Sequence, residues 1–89
     1  MTTDLPGAEL IEQGLRDLAS GAETVDSLLV SLSAPRLRAL GIAVPSPFAD
    51  AEQRLYLLLA AQHGDGAHAK YNALIRRVVS FQRAAACAS

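Results

Sequence analysis

The stretch Arg54-Leu-Tyr-Leu-Leu-Leu-Ala-Ala-Gln62 constrains this chain more than any other, because its apolar residues do not keep to one side. Wound as a helix, Leu55, Leu58, Leu59 and Gln62 form one stripe, while Tyr56, Leu57, Ala60 and Ala61 cover most of the remaining circumference. A helix that is apolar all round must either lie in the middle of a fold or leave part of its surface for another chain. At 89 residues the sequence has the length of one domain, 1–89, near the size at which a single core just suffices. Tyr56 and Leu57, off the main stripe, are therefore expected to meet either the first helix or a partner.

Composition decides that the stretch is helix rather than strand. The hydrophobic share of 51% includes seventeen alanines, which favour helices more than they fill volume, and fourteen leucines, which do most of the filling. Tryptophan is absent, phenylalanine and tyrosine occur twice each, and β-branched residues are sparse, so little favours a sheet.

Caps and breakers divide the chain into segments. A first helix is expected to open near Pro6 with Asp4 as its cap, to carry Leu10, Ile11, Leu15 and Leu18 on one face, and to stop at Ser20-Gly21. Thr24 caps a second helix, whose Val25, Leu28, Leu29 and Leu32 face a core. Pro35 interrupts it and starts a separate short helix through Leu40, closed by Gly41, and Ile42-Ala-Val-Pro45 runs extended. Ser46-Pro47 should open the central helix, which ends near His63-Gly64. The last helix, from about Ala67 to Ala86, carries the cleanest amphipathic pattern, with Tyr71, Leu74, Ile75, Val78, Phe81 and Ala85 on one face and a fraying tail over 86–89. The expected fold is all-α: a small irregular bundle of four main helices plus a short helix after Pro35.

Charge is nearly balanced overall but lopsided along the chain. Residues 1–34 hold six acids against one arginine, and residues 35–89 hold seven bases against three acids. A sequence pI near 6.0 disfavours nucleic acid as a partner. Were phosphates to be touched, Arg36, Arg38, Arg76, Arg77 and Arg83 would be the residues to do it. They are spread over two helices with no interleaved aromatic for base stacking, the layout of a solvated face. The single cysteine, Cys87, allows no internal disulfide and no thiolate metal site. The first residues lack the basic and apolar regions of a signal peptide, and the longest apolar run is far short of the roughly 20 residues that span a bilayer, so the expectation is a cytoplasmic protein without membrane contact.

His63-Gly-Asp-Gly-Ala-His68 gathers His63, Asp65 and His68 within six residues, which raises the question of a metal site. Tetrahedral sites want three or four firmly held ligands, and the simpler reading is a helix terminus at His63 followed by a glycine turn and an acid before the next helix. Neither metal nor cofactor is expected. No nucleophile stands beside a histidine at a catalytic spacing, so the chain does not read as an enzyme.

Val25-Asp-Ser-Leu28 resembles the Asp-Ser-Leu attachment site of acyl and peptidyl carrier proteins, short four-helix domains whose serine carries phosphopantetheine. Ile42-Ala-Val-Pro45 follows at about the distance of the extended segment in that family. The resemblance implies Ser27 as an attachment site. The chain departs from the family in the short connection between its first two helices, in the break at Pro35, and in Arg36 and Arg38 where carriers present an acidic helix. Read from the residues alone, Thr24, Asp26 and Ser27 serve the start of a helix.

The primary expectation is a protein–protein interaction or oligomerisation module, in the manner of an accessory or regulatory subunit. It would bind itself as a homodimer or an unidentified protein through Tyr56, Leu57, Tyr71 and Phe81. Carrier protein and nucleic-acid-binding regulator are the alternatives.

Overall fold

A computed structural model of the protein describes residues 5–88. These residues form five α-helices and one short turn of 3-10 helix: α1 (Ala8–Ala19), α2 (Val25–Leu32), α3 (Ala34–Ala39), α4 (Ala51–His63), the 3-10 turn Gly64–Gly66, and α5 (Ala67–Ala88). The fold is the irregular all-α bundle expected, with α3 as the short helix after Pro35. No strand occurs among the described residues.

Local chemistry accounts for most of the boundaries. Thr24 and Ser27 cap α2 reciprocally: the Ser27 amide donates to Thr24 Oγ1 at 3.1 Å, and the Thr24 amide donates to Ser27 Oγ at 2.7 Å. The Thr24 hydroxyl in turn donates to Asp17 Oδ2 at 2.7 Å, which ties the end of α1 to the start of α2. Gly21, at a φ of 78°, takes the left-handed turn that lets the chain reverse between them.

Three boundaries differ from expectation. The first helix begins at Ala8 rather than Pro6, with Gly7 as its N-cap in the left-handed conformation; the expected cap, Asp4, lies outside the described residues. A Cβ at Gly7 would stand 2.9 Å from the Arg77 carbonyl oxygen, so the entry to α1 is shaped by its contact with α5. The central helix begins at Ala51, not at Ser46-Pro47. Ser46 and Asp50 both have positive φ, and between them Phe48 is held off the helix by its amide, which donates to Ser31 Oγ at 3.1 Å. At the other end α5 continues through Ala88, past the expected end at Ala86 and into the stretch expected to fray.

The middle of the bundle is α2 rather than α4. Ser27, Leu28, Leu29, Val30 and Ser31 are buried in succession, and α2 packs on α1, α3, α4 and α5. Close approach to α1 is permitted by Gly14: an added Cβ there would collide with the Asp26 carbonyl oxygen and would lie 2.7 Å from Val30 Cγ1. Its two buried serines do not leave polar atoms stranded, because Ser31 Oγ donates to the Ser27 carbonyl at 2.8 Å while accepting from Phe48. The remaining core comes from Ile11, Leu37, Leu55, Leu59, Leu74, Val78 and Phe81.

Candidate functional site

The outer face of α4 is the most unusual surface of the molecule. Its inner edge is narrow, with Ala51, Leu55 and Leu59 buried at four-residue spacing and Leu58 half-buried beside them. The opposite side holds Gln53, Tyr56, Leu57, Ala60 and Ala61, all exposed and none charged. Leu57 is 63% exposed and Tyr56 40%, the two large apolar side chains left in solvent among the described residues. Neither meets the first helix, which packs on α2 instead. The circumference that made this stretch conspicuous is thus only partly used by the fold.

Next to that face, the first turn of α4 and the start of α5 enclose an open hollow of about 510 Å³, lined by Asp50, Glu52, Gln53, Tyr56, His68 and Tyr71. The antiparallel pairing of α4 with α5 through the Gly64–Gly66 turn brings these residues together. The Tyr56 and Tyr71 rings lie 5.8 Å apart at a 54° tilt, and the His68 ring is 6.4 Å from Tyr56. Burial pushes the Tyr71 phenol above its ordinary range, reinforced by the nearby charge of Glu52 and by a hydrogen bond to that carboxylate.

The other charged groups are mostly occupied. Arg54 turns away from the hollow to pair with Glu23 at 3.2 Å, with its guanidinium 5.9 Å from the Phe48 ring centroid. Arg77 pairs with Glu9 at 3.1 Å, Arg38 donates to the Val44 carbonyl at 2.7 Å, and Arg76 donates to the Asn72 carbonyl at 3.4 Å. Arg36 and Arg83 are exposed. Arg76 and Arg77 line one hollow with Glu9 and Ser80, Arg36 lines another, and Arg38 and Arg83 line neither.

Ser27 is fully buried, and its hydroxyl accepts from the Thr24 amide and donates to the Thr24 carbonyl at 3.0 Å. The oxygen that would carry the prosthetic group under the carrier resemblance is here part of the helix cap and buried. His63, Asp65 and His68 do not assemble a ligand set, since no group of three potential metal-binding side chains occurs among the described residues. His68 packs toward Tyr56 instead. Phe81, expected at an interface, is turned inward with 1% of its surface exposed, because its position on α5 faces the entry to α1 at Gly7. Tyr71 is half-buried in the wall of the hollow.

Asp50, Glu52 and Gln53 were not singled out by sequence reasoning. The spacing of Glu52 and Tyr56, four apart on one helix, was the available signal. Their meeting with Tyr71 depends on how α5 folds back, which periodicity does not specify. Comparison of the chain with protein-family models, with curated proteins and with solved structures gives no significant match. No helix among the described residues is long and apolar enough to cross a membrane.

Proposed function

We propose that this protein is a small helical association module whose outer α4 face pairs with the same face of a second copy. The observation that carries the reading is the exposure of Leu57 and Tyr56 on an uncharged strip continued by Ala60 and Ala61. Exposed apolar patches mark interaction surfaces, and small residues let a second helix approach closely. A second copy is the occupant the chemistry favours. An uncharged strip offers a charged partner nothing to pair with, whereas a two-fold arrangement places each Leu57 against an equally apolar surface.

Light scattering behind a sizing column tests this. The mass should rise with concentration toward that of a dimer, and Leu57→Glu should hold it at that of a monomer while the helical circular dichroism is retained. A wild-type protein that stays monomeric at high micromolar concentration and binds no apolar dye contradicts the proposal.

A further inference from the structure

We propose that the hollow between the first turn of α4 and the start of α5 binds an organic cation, an alkylammonium or guanidinium group. Two carboxylates, Asp50 and Glu52, line it, and among the described residues neither is ion-paired with a lysine or arginine. The nearest basic residue on the same helix, Arg54, is engaged with Glu23. Arg36 shares an adjoining hollow with Glu52 without forming an ion pair with it, and His68 stands in the lining itself, so the two carboxylates face the hollow unpaired by lysine or arginine. The other lining residues are Gln53, His68 and the two tyrosines, whose rings are tilted at 54° to each other and supply aromatic surface that attracts a positive charge carrying its own apolar groups.

The lining discriminates between kinds of ligand. A hard divalent cation prefers six or more oxygen ligands, and the described residues hold no group of three metal-binding side chains. An anion would be repelled by both carboxylates. A wholly apolar ligand would bury Asp50 and Glu52 without compensation. An alkylammonium or guanidinium group satisfies the carboxylates and presents its carbon-bound surface to the rings. Glu52 and Tyr71 both line the hollow, so a cation held by the carboxylate lies beside that ring.

This site shares Gln53 and Tyr56 with the proposed association face, so it is tested with that face disabled as well as intact. Both of the protein's tyrosines stand in it and there is no tryptophan, so all useful intrinsic fluorescence reports on the hollow. The full-length chain, as wild type and in a Leu57→Ser background that disables the association face without adding charge, is titrated with tetramethylammonium chloride and with methylguanidinium chloride. Sodium chloride at matched ionic strength and the neutral isostere tert-butyl alcohol are the controls. Tyrosine emission should change saturably with the organic cations only, and amide shifts should map to residues 50–56 and 68–71.

Tyr56→Leu, which keeps bulk but removes the ring, should weaken binding about threefold to tenfold, read by amide shifts. The double change Asp50→Asn with Glu52→Gln should weaken it about fivefold. A blocked Gly-Gly-Lys-Gly-Gly peptide and its norleucine counterpart identify the source: tighter binding of the lysine peptide than of the free cations assigns the site to polypeptide side chains, and the reverse order assigns it to free cations. An equal response to tert-butyl alcohol, or no saturable response to any cation, overturns the proposal. Binding retained in Leu57→Ser separates the outcome from that of the association test.

Discussion

Helices α2 and α4 are both rich in apolar residues, yet the fold treats them in opposite ways. In α2 five consecutive residues are buried, including two serines whose hydroxyls are satisfied by neighbouring backbone. In α4, which is longer, only Ala51, Leu55 and Leu59 are buried, and Leu57 stands in solvent. The difference lies in partners rather than composition. Surrounded by α1, α3, α4 and α5, α2 has no free side, whereas α4 is packed on α2 and α5 and leaves nine of its thirteen residues exposed. Hydrophobicity around a helix therefore indicates a demand for burial, and topology decides whether the demand is met within the chain.

The largest expected effect follows from breaking the hub. Leu29→Ala removes a fully buried side chain from α2 and should cost about 2–5 kcal/mol, measured by denaturant unfolding. Next comes Gly14→Ala, which forces a Cβ into the Asp26 carbonyl and Val30; separating α1 from α2 should cost about 1–3 kcal/mol. Thermal unfolding checks it, and an unchanged midpoint would mean that the two helices are not in close contact. Ser27→Ala should cost about 1 kcal/mol, because it removes one half of the reciprocal cap at the start of α2. The same variant bears on the carrier resemblance: intact mass after incubation with a phosphopantetheinyl transferase should be unmodified in the wild type as well.

The smallest effect concerns Asp26. Burial raises its carboxyl above the ordinary range, with Asp17 adding to the rise and Arg77 opposing it. A carboxyl whose folded pKa is raised binds its proton more tightly in the folded state, so its contribution is fully present below the unfolded value of 3.8 and is lost as pH rises through the folded value. Asp26→Asn should therefore stabilise slightly at neutral pH, with the gain disappearing in acid below that value. Unfolding followed at both pH values checks the sign. Tyr71 behaves alike at the other end of the scale: its contribution declines as pH rises above 10.0.

Much of this architecture was legible in the residues. Thr24, Gly21, Pro35, Gly41 and the Gly64-Asp65-Gly66 turn set boundaries where local chemistry set them, and the α5 stripe of Leu74, Val78 and Phe81 is buried as its spacing required. The start of α4 was not legible. Ser46-Pro47 has the form of a helix opening, but a tertiary hydrogen bond from Phe48 to Ser31, seventeen residues back, holds that segment out of the helix. The site divides in the same way. Tyr56 and Leu57 stood out because they lie off the stripe, whereas Asp50, Glu52 and His68 acquire a common setting only when α5 folds against α4. Phe81 shows the converse: a large side chain on an amphipathic face reads equally well as core or interface, and only the contact with the entry to α1 decides for core.

The contrast between the two helices is tested most directly by placing one glutamate in each, at Leu29 and at Leu57, and measuring mass by sedimentation equilibrium together with the thermal unfolding midpoint. Leu29→Glu, with a charge at a fully buried position, should not fold. Leu57→Glu should fold with stability within about 0.5 kcal/mol of the wild type, as expected for a surface change, and should be monomeric where the wild type self-associates. If Leu57→Glu also unfolds, or if it has the same mass as the wild type at every concentration, then the outer face of α4 is not an association surface.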